Sequence, residues 1–245
     1  MQVRKKATLL ITHIHKLYTC KEIGHHMVVL SNAYVGIYHD FIIEVGVKDY
    51  SHLIDKDTRV VDATGHIMVP GFIDVCMNLP KLHRFDEARI LQETAISYMR
   101  HGVTSLYIEE PKPIWYCESF IYEIYWQRKQ ANGYPIMDLE TILKQNQKRK
   151  HFCLSAGYNS ENPLLSAQMY HIKQQISCVT LLNALCKYPA KRLRLKHVGI
   201  IDTGMQADML LVNALDLEEM FSSLQDQKIY QVIKKGVRIY PNVIV

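Results

Sequence analysis

The sequence predicts an α/β protein, with β structure at both ends and alternating strands and helices between them. Residues 7–70 carry strand-like runs, and no helical period starts before about residue 84. Residues 71–110 then read as β-α-β, which requires a parallel sheet because a crossover joins the two strands. The final stretches, "ADMLLVNA" and "IYQVIKKGVRIYPNVIV", revert to strands, so the two termini are expected to meet in one β unit.

Taken in order, "TLLITHIHKLYT" is strand-like, and "HMVVLSNAYVGIYHDFIIEVG" is two strands turning at His39-Asp40. "RVVDATGHIMVPG" repeats the pattern around Ala63-Thr64-Gly65. "GFIDVCMNL" is nearly continuous in apolar residues, the mark of a strand buried on both faces. "RFDEARILQETAISYMRHG" has Ala88, Leu91, Ala95, Tyr98 and Met99 at helical spacing, with Gly102 placed to end the helix. "VTSLYIEE" is the next strand. The aromatic segment "IWYCESFIYEIYWQRKQ", residues 114–130, is expected to be a helix. "MDLETILKQNQKRK" is another, with Asp138 as its N-cap. After the strand "HFCLSAGY" come the helices "NPLLSAQMYHIKQQI" and "VTLLNALCKYPAKRLRL"; Thr180 suits the N-cap of the second and Pro189 interrupts it. The last strands form a hairpin turning at Lys235-Gly236.

The 245 residues suffice for one large domain or two small ones, and 48% apolar content is enough for a sizeable core. The net charge of +5 is dispersed; its densest runs, 144–150 and 191–197, read as polar helix faces, which argues against nucleic-acid binding. The six cysteines form no C-x-x-C and are expected to be reduced thiols. The N-terminus lacks a long apolar core and a small-residue cleavage site, and no apolar run reaches about 18 residues, so a cytoplasmic location is expected.

Several stretches together resemble the metal-dependent amidohydrolases, imidazolonepropionases most of all. "VVDATGHIMVPGFID" is similar to the family's entry into its barrel, where the strand ends in H-x-H. "NGYPIMDLETILKQ" looks like a segment reading S-G-Y-G-L-D with E-T-E-L-K behind it, and "LSAGYNSENP" looks like the eighth barrel strand with its T-D-x-N-P. The tail matches a G-x-I-x-x-G-x-x-A-D pattern at Gly199, Ile201, Gly204, Ala207 and Asp208. The resemblance implies a composite β-sandwich from residues 1–70 and 199–245 and a (β/α) barrel within 71–198. It also implies a zinc or iron ion at the barrel mouth that activates water against a cyclic amide.

The ligand positions do not carry that chemistry. The H-x-H positions hold Cys76 and Asn78, and the aspartate after strand eight is replaced by Gly157. A thiolate binds zinc, but an asparagine amide is a weak ligand and glycine offers none. A complete barrel takes about 250 residues, whereas about 130 separate Gly71 from Gly199. At roughly 30 residues per βα pair, three or four strands fit. The motifs make them strand one (Phe72–Leu79), two (Thr104–Glu109) and eight (Phe152–Tyr158), giving a partial barrel of about three parallel strands in the order 8-1-2. Such an opened sheet has bare edges. The aromatic segment with Trp115, Tyr122 and Trp126 is expected to cover them or to mediate a homo-oligomer.

The expectation is a degenerate amidohydrolase without cofactor or catalytic residues, with a binding or scaffolding role. Tyr134 and Asn159, at positions where the family's motifs carry Tyr and Asn, and Glu109, at the end of a strand, are the candidate ligand contacts. One alternative is an active enzyme acting on a cyclic amide, with its metal site rebuilt around Cys76 or shared across a dimer. Another is a plain structural protein. Minor candidates are the His13/His15 pair on one strand face, His25-His26, a Cys153 thiol with His151, and the paired acids Asp86-Glu87. His101 suits a helix C-terminus.

Overall fold

The chain is described from a computed structural model, which covers residues 5–77, 87–112, 123–144, 148–157, 160–224 and 228–241. Its N-terminal strands are β1 (Leu9–Ile23), β2 (His26–Tyr38), β3 (Phe41–Val47), β4 (Arg59–Asp62) and β5 (Ile67–Pro70). β1 is long enough to serve two parallel partners. Its start pairs with β4 (Leu9 opposite Arg59) and its middle with β5 (Lys16 opposite Ile67). The change of partner lies at a register shift between Ile11 and Ile14, where His13 adopts φ 55°, a bulge that bends the strand. The β2–β3 turn falls at His39-Asp40 as expected, with His39 at φ 50°.

A single residue, Gly71, separates β5 from β6 (Phe72–Asp74). Helix α1 (Glu87–Arg100) then buries Leu91, Ala95, Tyr98 and Met99 and leaves Ala88 exposed. Gly102 ends the turn at φ +89°, where an added Cβ would strike Leu210 and Phe72, so both the turn and the packing exclude a side chain. β7 (Val103–Ile108) is buried at every residue, as a parallel strand covered on both faces should be.

The expected helix over 114–130 is corrected at its end: Glu123–Trp126 is strand β8, parallel to β7 with Ser105 opposite Glu123. Four residues rich in aromatics satisfy a strand as readily as a helix turn, and the open edge of β7 decides. Trp115 and Tyr122 lie outside the described residues. Of the predicted order 8-1-2, strands one and two pair in parallel as expected, as β6 and β7. The three-stranded sheet runs β6-β7-β8, while the former "strand eight" is β10 (Cys153–Leu154), paired in parallel with β9 (Ile136–Met137).

Helix α2 (Leu139–Lys144) starts at the expected cap, with the Thr141 N–H donating to Asp138 Oδ1 at 2.8 Å. Helix α3 (Pro163–Gln174) is capped by Asn162. Helix α4 (Cys178–Leu185) is capped by Ser177, which corrects the expectation for Thr180; that residue donates its N–H to the cap. The interruption comes at Cys186, and Pro189 sits in the first turn of α5 (Lys187–Arg192), where its missing N–H costs nothing. β11 (Met209–Val212) follows, then α6 (Leu217–Ser222), which the apolar pattern did not announce. β12 (Ile229–Lys234) and β13 (Val237–Tyr240) close the chain around Lys235 and Gly236, both at positive φ as the tight hairpin requires.

Both ends of the chain join one sheet in the order β13-β12-β11-β5-β1-β2-β3, with β4 on β1. The expected sandwich is therefore one hydrogen-bonded sheet curled over a core. Leu9, Ile11, Ile14, Leu17, Val35 and Ile37 meet Met209, Leu211 and Ile233 inside it. The fold-over is fastened where Ala207 N–H donates to Asp40 O (2.7 Å) and Ile42 N–H to Met205 O (2.8 Å). β11 alternates: Met209 and Leu211 face this core, while Leu210 and Val212 face the larger one shared with the helices. No helix among the described residues is long and apolar enough to cross a membrane.

An ion cluster ties β8 to the curled sheet. The Lys234 ammonium, fully buried, contacts Asp208 Oδ2 (2.6 Å) and Glu123 Oε2 (2.8 Å), and Lys235 contacts Glu123 Oε1 (2.7 Å). Asp208 also accepts from Lys235 N–H and Gln206 Nε2. Burial alone would raise the Glu123 carboxyl, but the Lys234 charge and the donors overcome it and hold it at about 2. Lys234→Met would leave two carboxylates without their shared cation and is expected to cost roughly 3–5 kcal/mol in urea unfolding. The Glu123 contribution is fully present above the ordinary carboxylate value of 4.5 and is lost as pH falls from there toward about 2. Acid unfolding curves of Glu123→Gln should therefore be flatter across that window than those of the wild type.

Candidate functional site

In a parallel α/β arrangement, ligands are held by the loops at the carboxyl ends of the strands. Here those loops bring together Asp74 and Cys76 after β6, Glu109 after β7, Asp138 after β9 and the Ser155–Gly157 segment after β10. Asp74 is at their centre and is completely buried. Its Oδ1 accepts from Ser155 Oγ (2.7 Å) and from Cys76 N–H (2.9 Å), and its Oδ2 accepts from Ala156 N–H (2.8 Å). Burial pushes the Asp74 carboxyl up against the pull of those three donors, and Asp138 nearby adds to the rise. The side chain thus stitches the end of β6 to the end of β10, two strands in separate ladders among the described residues. A lone acid inside the apolar run "GFIDVCM" was the available signal for it; attention to the two positions beyond missed it.

Gly157, at the aspartate position, has φ +81°. A Cβ built there would lie 3.0 Å from Asp138 Cβ and 3.3 Å from Asp138 Oδ2. The neighbouring strand's carboxylate therefore occupies the space beside Gly157, and that carboxylate is itself the cap of α2. Cys76 is half-buried at the same end, and Glu109 is exposed there. Asn78 and Asn159 lie outside the described residues.

Tyr134 sits elsewhere. It precedes β9, at the amino end of the β9–β10 pair, stacked on Tyr188 with centroids 5.6 Å apart. There it lines a polar recess with Glu22, His151, Lys187 and Lys191, so it is not brought together with Glu109. His151 is edge-on to Tyr188, whereas Cys153 faces the core, where burial pushes its thiol up to about 12. The candidate His151–Cys153 pair does not form, and Cys153 is a buried thiol. His13 and His15 are both exposed, and His13 bonds Asp62 at 3.3 Å instead of sharing a third ligand with His15. His25 lies in the β1–β2 turn, and Asp86 lies outside the described residues. His101 donates Nδ1–H to Ser97 O (2.9 Å), the expected helix-end contact.

The fold is similar to that of several solved hydrolases and deaminases. It aligns with molinate hydrolase at a TM-score of 0.70 and 10% identity, over 96% of this chain and 95% of that one. It also aligns with Escherichia coli guanine deaminase (0.60, 10% identity, 94% and 99%). An adenosine deaminase from Xanthomonas campestris with bound zinc gives 0.62 at 11% identity, over 96% and 93%. No protein-family model and no curated protein matches the sequence. Asp74→Ala would strand the Ser155 hydroxyl and two backbone N–H groups in a dry site. A loss of at least about 3 kcal/mol in urea unfolding is expected, with Asp74→Asn falling between it and the wild type.

Proposed function

We propose that this chain is a degenerate, imidazolonepropionase-like amidohydrolase that has kept the fold and serves a binding or scaffolding role without metal-dependent hydrolysis at the mouth. On this reading, residues 71–198 are a remnant of a (β/α) barrel, carried on a β unit made from 1–70 and 199–245. The observation that carries it is Gly157: it has no side chain, and its φ of +81° and the tight approach to Asp138 disfavour one. A hydrolytic metal centre needs about three good ligands and one open position. Asp74 is engaged by three donors, Asp138 caps α2, and Cys76 alone does not make a centre. Among the described residues, those of this mouth do not fit the family's zinc or iron.

The competing reading is an active enzyme with a centre rebuilt around Cys76 or shared between two copies. The half-buried Cys76 at the strand ends is in its favour. A cytoplasmic setting suits either reading, and Cys20, Cys153, Cys178 and Cys186 are free thiols. β8 is the outer strand of its sheet among the described residues, with Trp126 half-buried, so self-association along this edge belongs to the same proposal.

Elemental analysis of the wild type and Cys76→Ala separates the readings. Metal content unchanged by Cys76→Ala is the expected result; stoichiometric zinc or iron lost in that variant would favour the active enzyme. Gly157→Asp is expected to recruit no metal and to destabilise by about 1–2 kcal/mol, because its Cβ would crowd Asp138 at a left-handed backbone and set a second carboxylate beside that of Asp138.

A further inference from the structure

Three helices meet at a cluster that no sequence motif marks. His171 lies in the last turn of α3, Cys178 is the first residue of α4 and Glu218 is the second of α6. One donor atom from each lies within 4.8 Å of the other two. Cys178 Sγ is 3.1 Å from Glu218 Oε2, His171 Nε2 is 3.1 Å from Glu218 Oε1, and Sγ is 3.9 Å from His171 Nδ1. Among the described residues this is the only group of three such side chains within reach of a common ion.

The hydrogen count shows what the cluster lacks. Ile176 O, 2.8 Å from His171 Nδ1, can only accept, so Nδ1 carries the ring hydrogen. A neutral imidazole has no second hydrogen, yet Nε2 faces a carboxylate oxygen. The Cys178 thiol already uses its single hydrogen on the other oxygen of Glu218. The three side chains therefore need one more positive charge among them: a second ring proton, or a cation. A backbone carbonyl on Nδ1 that leaves Nε2 for the metal is the usual support of a histidine ligand. In a tetrahedral zinc site, with bonds of about 2.0–2.3 Å, donor atoms stand roughly 3.3–3.7 Å apart. The two contacts to the carboxylate, 3.1 Å each, lie just short of that range, and Glu218, 68% exposed, is free to adjust.

We propose that His171 Nε2, Cys178 Sγ and the Glu218 carboxylate form a zinc site at the junction of α3, α4 and α6, with its fourth position open to water. The mixed nitrogen, sulfur and oxygen donors suit Zn²⁺ and disfavour Mg²⁺ or Ca²⁺, which take oxygen ligands. On binding, the S–H bond breaks, the proton passes to solvent and a sulfur–zinc bond forms, with no change of oxidation state. Without the ion, burial and the Glu218 contact push the Cys178 thiol up to about 12, so uptake competes with that proton and strengthens as pH rises. This site is separate from the mouth: His171 is eight residues, about 12 Å, along α3 from Pro163. Its effect is to cross-link α6 to α3 and α4, closing a loop of forty residues between Cys178 and Glu218.

Full-length protein, stripped with a chelator, is titrated with Co²⁺ and then with Zn²⁺. The expected result is one equivalent of cobalt per chain, with a sulfur-to-cobalt charge-transfer band that zinc abolishes. The band should vanish in Cys178→Ser, cobalt affinity should fall at least tenfold in Glu218→Gln, and both should be unchanged in Cys76→Ala. Zinc should also raise the thermal midpoint of the wild type by several degrees and leave Cys178→Ser unmoved. Glu218 is exposed, so its variant tests the site even if Cys178→Ser misfolds. Absence of stoichiometric cobalt uptake overturns the proposal and leaves a protonated ring as the source of the missing charge. So does a band that persists with full affinity in Glu218→Gln. A band lost only in Cys76→Ala overturns both this site and the reading of the mouth as metal-free, whereas metal lost only in Cys178→Ser leaves that reading intact.

Discussion

The carboxylate of Asp74 is the point at which the parallel part of this protein holds together. β9 and β10 form their own short ladder, and β6, β7 and β8 form another. Between the two ladders, Asp74 accepts from a hydroxyl and a main-chain N–H on the far side and from Cys76 N–H on its own side. A carboxylate taken out of water is tolerable only when its oxygens are satisfied in this way. The cost of burying it and the donors that offset that cost are two sides of one arrangement, so the ends of β6 and β10 are fixed relative to each other.

That arrangement also limits the mouth. Two of the carboxylates there are committed to structure, Asp74 to the seam and Asp138 to the first turn of α2, while Glu109 is exposed. Gly157 then allows the chain to pass close to Asp138, which a side chain would prevent. At this strand end the Asp74 and Asp138 carboxylates act as hydrogen-bond acceptors within the fold. The fold is similar to those of known hydrolases and deaminases, and it is held by apolar cores and by this seam.

The second junction works by charge. Lys234 comes from the C-terminal hairpin, Asp208 from the entry to β11 and Glu123 from β8. Asp208 closes the G-x-I-x-x-G-x-x-A-D pattern in the tail, and its role there is physical: it meets a fully buried ammonium and caps the Lys235 N–H. The outer strand β8 is thereby anchored to the curled sheet through its first residue. In this protein the sheet built from the two termini is the frame, and the parallel strands are attached to it at Gly71 and at this ion cluster.

What the sequence determined by itself was local. The turns at His39-Asp40 and Lys235-Gly236, the stop at Gly102, the cap at Asp138 and the fully buried "VTSLYI" strand depend on one residue's backbone preference or on a short run of side chains. That Cys76 and Gly157 stand where the resemblance puts a histidine and an aspartate was legible for the same reason: a residue's type can be read wherever it sits. Tertiary structure alone decided the rest. Glu123–Trp126 became a strand because β7 offered it an edge, the two expected sheets became one because the bulge at His13 bends β1 onto two partners, and Tyr134 fell at the opposite end from Glu109. His171, Cys178 and Glu218 are separated by up to 47 positions and share no pattern. Only the packing of three helices places their polar atoms together, and no periodicity in a chain encodes a meeting at that distance.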